Sequence, residues 1–278
     1  MRGGAGAAIL ALPAGSVDHL QPGGAGRTVL PVTPGAITHA LKPIVDFVYP
    51  PRCPLCGGGL AEQGGLCLDC WQTLELPGSD GCARCGVPGE DAVCHVCRAA
   101  PPQHRGIAAA TWYGETSRQL VLKFKHGRRL ALARPMARMI ARQLPQDVGK
   151  RLLVPVPLHR QRLWHRGFNQ SALMADHLGR LTGWPVDRHG LRRVRRTQPL
   201  RGMNPAQRAR AVRGAFALAP GHGFAGRRVL LIDDVRTSGA TAAACARMLK
   251  RGGATNVRLL CWARALPDRD ATLSRGPD

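Results

Sequence analysis

Acids, aromatic residues and long apolar runs are all scarce in this 278-residue chain, and each scarcity excludes something. Only 17 residues are Asp or Glu against 40 Lys and Arg, a formal net charge of +23. The acids are too few to neutralise the bases internally, so the balance points outward to polyanions, either nucleic acid or phosphorylated metabolites. The plain alternative is a general arginine bias in composition. Aromatics make up 4% of the chain, which leaves few stacking platforms; Trp112, Trp164 and Phe168 are the candidates, and any nucleic-acid surface must lean on charge. No run approaches the roughly 20 apolar residues of a membrane helix, so no membrane insertion is expected. The opening "MRGGAGAAILALPAG" has neither a long apolar core nor a strongly basic start, so it does not read as a signal peptide, and the expected compartment is cytoplasmic. Residues 1–42, rich in Gly, Ala and Pro, are expected to be disordered.

What is present begins with cysteine. Eight of the ten cysteines lie between Cys53 and Cys97 as four Cys-x-x-Cys pairs. "CPLCGGGLAEQGGLCLDC" is followed by a second copy, "CARCGVPGEDAVCHVC", and each opens with Cys-x-x-Cys-Gly and closes with Cys-x-x-Cys. Two thiolate pairs close a tetrahedron around Zn²⁺, and the glycine lets the knuckle turn its backbone N–H groups toward sulfur. The duplication predicts two structural zinc ions per chain, one on Cys53, Cys56, Cys67 and Cys70, the other on Cys82, Cys85, Cys94 and Cys97. A cross-braced pairing, first with third and second with fourth, stays open. A disulfide framework needs an oxidising compartment, and a redox role needs one reactive pair rather than four similar ones. His95 reads as a surface residue, Cys245 and Cys261 as buried thiols.

The second feature is "LLIDDVRTSGAT", Leu230 to Thr241. Val229 to Ile232 is a short continuous apolar run, as in a parallel strand buried on both faces. Asp233 and Asp234 are then expected at its carboxyl end, with Thr237 to Thr241 turning into a helix from Ala242 to Arg251. Ligands bind at that edge of an open α/β sheet. A Gly/Ser/Thr loop at a helix N-terminus offers N–H groups and hydroxyls to phosphate. Ionised carboxylates only accept, so their partners are hydroxyls or a hard cation such as Mg²⁺. A ribose 5-phosphate satisfies both halves. The stretch resembles the phosphoribosyl pyrophosphate (PRPP) loop of type I phosphoribosyltransferases. That resemblance implies that Asp233 and Asp234 hold the ribose hydroxyls as the catalytic pair, and that Thr237, Ser238, Gly239, Ala240 and Thr241 hold the 5′-phosphate. Arg236 departs from the pattern, which usually has an uncharged residue there; it either touches phosphate or reaches solvent.

Pro101-Pro102 marks a linker, after which strands and helices alternate: Gly106 to Tyr113 as strand, Ser117 to Lys125 and Leu130 to Leu144 as helices, Arg151 to Val156 as strand, then an amphipathic helix in "FNQSALMADHLGRLTG" with Leu173, Ala175, Leu178 and Leu181 near one face. Val257 to Ala263 is a further strand, and the alternation implies a mostly parallel sheet. The ribbons, the PRPP-type loop, "VPVPLHRQRLWHRGFNQSALMADHL" and "RTQPLRGMNPAQRARAVRGAFAL" together resemble the ComF family, from about Asp46 to Ala265, with "RGFNQ" (Arg166 to Gln170) the most specific mark. The family joins a zinc ribbon to a phosphoribosyltransferase-like domain and is associated with natural competence, in which single-stranded DNA is taken up with a helicase partner. The expected fold class is therefore α/β, a type I phosphoribosyltransferase-like mostly parallel sheet flanked by helices over 104–266, preceded by a double zinc ribbon over 43–103 and followed by a flexible tail at 267–278.

In that fold Pro155 and Val156 approach pyrophosphate, with Arg162 and Arg166 close by and Lys123 and Lys125 within reach of the same anion. Arg192 to Arg213 forms a hood dense in arginine and devoid of acids, in which Arg193, Arg195 and Arg196 are candidates for DNA contact; a solvated basic surface is the plainer reading. Two functions follow. One is an enzyme that displaces pyrophosphate from PRPP with a nitrogen nucleophile, Mg²⁺ bridging the phosphate oxygens and the carboxylates stabilising an oxocarbenium-like ring. The other, favoured by the family marks, binds PRPP or a nucleotide phosphate without turnover while the basic surface carries single-stranded DNA.

Overall fold

The computed structural model describes residues 46–266 apart from 79, 128, 145–148 and 199–201, so the expectations for 1–42 and 267–278 lie outside the described residues. The described residues from Val48 to Leu266 fall in one compact unit. Its centre is a four-stranded, wholly parallel sheet: β1 (Ile107–Trp112), β2 (Leu152–Pro155), β5 (Arg228–Arg236) and β6 (Asn256–Arg264), in the order β1-β6-β5-β2. The remaining two strands, β3 (Leu191–Arg193) and β4 (Phe216–Leu218), make a small antiparallel pair. Two five-residue helices, α1 (Leu68–Gln72) and α2 (His95–Ala99), belong to the ribbons. The larger domain adds α3 (Glu115–Lys125), α4 (Ala133–Ala141), α5 (Arg160–Arg166), α6 (Gln170–Thr182), α7 (Pro205–Ala211) and α8 (Ala240–Arg251).

The apolar run at the start of β5 is continuous because both faces of the sheet are covered. Leu230 and Ile232 face a core of Leu120 and Phe124 from α3, Met136 and Ile140 from α4, and Met174 and Leu178 from α6. Val229 and Leu231 face the other core, with Cys245 and Leu249 of α8, Phe216 of β4 and Phe224. Alternation along one strand thus serves two layers. Cys245 and Cys261 are fully buried and His95 is exposed, as the sequence suggests.

Three expectations need correction. The helix expected over Leu130 to Leu144 is a 3₁₀ turn, Leu130–Leu132, followed by α4. Pro135 is the cause: it lacks an N–H and is tolerated only in the first turn of a helix, so the α-helix starts at Ala133. On α6 the buried face is Gln170, Ser171, Met174, Ala175 and Leu178, whereas Leu181 is 52% exposed at the last turn. The acids do not follow their strand. They lie inside β5, which runs on to Arg236 because β6 continues to pair with it as far as Arg236↔Arg264.

Candidate functional site

The extension of β5 creates the site. Its pairing with β2 stops at Pro155↔Ile232, closed by the Val156 N–H donating to the Ile232 carbonyl at 2.9 Å, and the Val156 carbonyl is then taken by a side-chain amide rather than by β5. On the β6 side the ladder goes on. Asp233 to Arg236 therefore form a strand segment paired on one edge and free of β2 on the other, at the carboxyl end of the sheet where such folds bind ligands.

Asp233 is 8% exposed and its Oδ1 accepts from the Asp234 N–H at 2.9 Å, while Asp234 Oδ1 accepts from the Val235 N–H at 2.6 Å. Burial, reinforced by the neighbouring Asp234 charge, pushes the Asp233 carboxyl up to about 8 against the opposing pull of Lys125 and Arg193. Lys125, at the C-terminus of α3, holds Asp234 Oδ2 at 3.0 Å. Arg166 is close enough for burial and the Arg162 charge to depress its pKa and the Asp234 charge to oppose them. Asp233 and Asp234 thus form one electrostatic cluster with Lys125, Arg162, Arg166 and Arg193.

The residues of "RGFNQ" explain themselves here. Gly167 takes φ +81° as the left-handed cap that ends α5, and Asn169 starts α6 by accepting from the Ser171 N–H at 3.0 Å. Asn169 Nδ2 also donates to the Val156 carbonyl at 3.0 Å, Arg166 Nη1 donates to Gln170 Oε1 at 2.9 Å, and the Phe168 ring lies 5.7 Å from that of Phe124. The motif is a corner that fixes the end of β2 to two helices and aims Arg166 toward the acids. Next comes the loop. Gly239, at φ +77°, caps α8, which begins at Ala240 rather than Ala242, and Thr237 to Thr241 are all half-buried.

Other candidates fall elsewhere. Lys123 Nζ donates to the carbonyls of Pro54 and Leu55, at 2.6 and 3.1 Å, in the first cysteine knuckle, so Lys125 is the lysine brought to the acids. Pro155 and Val156 are buried and offer only backbone. Arg236 is half-buried, and its guanidinium packs against Gly239, 3.0 Å from where a Cβ would stand. Arg162 Nη2 donates to the Thr197 carbonyl at 3.3 Å, and Arg193 donates to the Thr197 hydroxyl with its guanidinium 5.3 Å from the centre of the Phe216 ring. Arg193 is thus a half-buried tie between hood and site, not a free surface cation. Arg195 donates to the carbonyls of Ala211 and Arg213, and Arg196 is exposed. Thr197, which anchors the hood to α5, carries no signal in the sequence.

The eight cysteines, all free thiols, gather into two clusters, Cys53, Cys56, Cys67, Cys70 and Cys82, Cys85, Cys94, Cys97, with the sulfurs of each within 4.8 Å of one another. Pairing is sequential and not cross-braced. The Cys56–Cys67 and Cys85–Cys94 sulfur separations, 3.5 and 3.7 Å, fit the edge of about 3.8 Å expected of a tetrahedral Zn²⁺ with bonds near 2.3 Å. Burial opposes ionisation of Cys53, but the backbone N–H groups of Cys56, Cys67 and Leu55 bring it down to about 6; Cys82 is brought to about 6 in the same way by Cys85, Cys94 and Arg84. The knuckles therefore present N–H groups to sulfur as the glycine spacing implies, and the donor set fits structural zinc.

Residues 44–100 match the double zinc ribbon domain family. Over 227 residues the chain is 32% identical to the DNA utilization protein YhgH of Salmonella typhimurium, covering 78% of this chain and 98% of that protein. The chain belongs to the ComF family. Its likeness to Competence protein F of Haemophilus influenzae is 29% over 224 residues, covering 77% of this chain and 97% of that one. Among solved structures, an adenine phosphoribosyltransferase covers 56% of this ComF chain with 81% of its own length, at 12% identity and a TM-score of 0.32. The architecture is a double zinc ribbon followed by a parallel sheet flanked by helices. No helix among the described residues is long and apolar enough to cross a membrane.

Proposed function

We propose that this protein binds PRPP or a nucleotide phosphate at the free edge of β5 and handles single-stranded DNA during its uptake. The observation that carries the ligand half is the cluster itself: two carboxylates, Lys125 and Arg166 beside a loop whose Gly239 cap opens the N-terminus of α8. Asp233 and Asp234 accept from the sugar hydroxyls, Thr237 to Thr241 surround the 5′-phosphate, and Arg162 and Arg166 face the pyrophosphate end. Mg²⁺, when bound with PRPP, would screen the acids from the phosphates and be held by the carboxylates and ligand oxygens. Lys125 would release Asp234 as that cation arrives. The DNA half draws on the names of relatives, a DNA utilization protein and a competence protein, and on the acid-free basic hood. It includes a helicase-type partner in the cytoplasm.

The enzyme reading has one observation in its favour: a carboxyl held at about 8 beside a second carboxylate is the kind of perturbed pair found at catalytic sites. A screen for pyrophosphate release from PRPP across nucleobases and amines separates the two. Binding without release, together with loss of DNA uptake by Asp233→Asn in a transformable host, supports the DNA-handling reading. Steady release with uptake untouched by the variant or by deletion overturns it in favour of the phosphoribosyltransferase.

A further inference from the structure

Arg236 and Arg264 take no part in the reading above, yet both are costly. They are register partners in the parallel β5–β6 ladder, so their side chains leave the sheet side by side, an arrangement that is destabilising for like charges. Arg264 is 2% exposed, and the Nε atoms of both are buried without a hydrogen-bond partner. No carboxylate among the described residues is in salt-bridge contact with either; Asp91, Glu115, Asp234 and Asp176 pair with Arg98, Arg118, Lys125 and Arg188. Buried His104, pushed down to about 4 by burial and by the charges of Arg236, Arg264 and Lys250, supplies no anion either. Arg264 is buried with its guanidinium 5.7 Å from the centre of the Trp112 ring, Arg236 is half-buried, and cations so withdrawn from water favour a nearby counter-charge.

The second cysteine cluster is at hand. Arg264 Nη1 lies 2.8 Å from the position a Cβ on Gly86 would occupy, so the guanidinium rests on the knuckle just after Cys85, and only glycine admits it. Burial and the Arg264 charge lower the pKa of Arg236, while the thiolate forms of Cys85 and Cys97 act the other way; Cys261, pushed up to about 12 by burial, stays a neutral thiol. Four thiolates around one Zn²⁺ carry a net double negative charge. We infer that the zinc centre of the second ribbon is the counter-anion of the Arg236–Arg264 pair, and that through Arg236, packed under Gly239, it positions the 237–241 loop. The chain of contacts is continuous: knuckle Gly86, Arg264, Arg236, Gly239. The first half rests on the metal alone. The second also rests on the reading of that loop as a phosphate cradle.

The test challenges the zinc-loaded full chain with a chromophoric chelator and follows release of the two ions, the first-ribbon phase being assigned with Cys56→Ser. Arg264→Met and Arg236→Met should speed release from the second ribbon by about 10- to 100-fold, the usual effect of removing a partner outside the ligand set, and leave the first unchanged. Arg264→Lys, which keeps the charge, should stay near the parent and also guards against a misfolded Met variant. Parental release in both Met variants, or a Lys variant as fast as Met, overturns the counter-ion. For the loop, the probe is inorganic pyrophosphate: Arg264→Met, which touches no part of the loop, should weaken its binding in a thermal-shift titration. Faster zinc release with unchanged pyrophosphate binding overturns the positioning half and upholds the first. A parent chain that ignores pyrophosphate counts against the phosphate-cradle reading, and the zinc-release arm still decides the counter-ion.

Discussion

The two ribbons share a spacing and a metal geometry but attach to the sheet by different chemistry. The first is joined by apolar packing and a lysine: Leu55, Leu66, Trp71 and Leu74 extend the core under α3 and α4, and Lys123 grips two knuckle carbonyls. The second has a small cluster of its own, Cys82, Cys85 and Cys97 with Val87 and Val93, and meets the sheet through a buried arginine. Each contact leads to a different half of the proposed ligand site. Helix α3 carries Lys123 to the first ribbon and Lys125 to Asp234; β5 and β6 carry Arg264 to the second ribbon and Arg236 to the loop. A duplication thus supplies two equal clamps, and the residues they meet give them unequal tasks.

Breaking each clamp should show the inequality most strongly. Cys53→Ser and Cys82→Ser should each cost one zinc by elemental analysis, with of order 10 kcal/mol of metal-binding free energy at stake per site. Losing the first ribbon exposes part of the main core, so thermal unfolding of the whole chain should fall further in Cys53→Ser than in Cys82→Ser. Equal losses would mean that the apolar contacts of Leu55 to Leu74 contribute little.

The two halves of the ligand site separate next. PRPP with Mg²⁺ at 100 times its Kd should stabilise the parent by about 2.7 kcal/mol. Asp234→Asn should abolish that shift while sparing the response to pyrophosphate alone. Gly239→Val should abolish both, because a β-branched residue is strained at φ +77° and would strike Arg236. If both variants lose both responses, the halves are not independent.

A smaller effect distinguishes the acid side by pH. The Asp233 carboxyl is raised from 3.8 to about 8 in the folded chain, so the folded state binds the extra proton and its stability falls as pH climbs toward about 8. Denaturant titrations from about pH 6 to about pH 9, where zinc is retained, should show that decline in the parent and a flat line in Asp233→Asn. Ligands that need an ionised pair should bind more tightly above that range.

Much of this was legible in the residues because local chemistry dictated it: the cysteine spacing announced two four-cysteine sites, with only the pairing left to the fold, and Val229 to Ile232 announced a strand covered on both faces. What was not legible depended on distant partners. Nothing near Lys123 marks the carbonyls of Pro54 and Leu55, and nothing near Arg264 marks Gly86. The strand continued past Asp233 because β6 is there to pair with it. By contrast α7 was announced and missed: Asn204, Pro205 and Gln207 spell a capping box with proline at the first turn, and both bonds form at 2.9 Å.

The smallest effect belongs to the hood. Arg193 is fixed by Thr197 and Phe216, so Arg193→Ala should cost about 1–2 kcal/mol of stability as well as DNA affinity. Arg195 is held by two carbonyls. Arg196 is exposed, and Arg196→Ala should leave stability unchanged while lowering the slope of log affinity against log salt for single-stranded DNA by about 0.7, one phosphate contact, whatever the sequence. Fluorescence anisotropy with labelled oligonucleotides across a salt series measures it. If Cys82→Ser, with its ribbon disrupted, retains the parental slope, the DNA track runs over the hood alone. If that slope falls by more than Arg196→Ala removes, the second ribbon is part of the track, and the contrast between the ribbons extends from the ligand site to the nucleic acid.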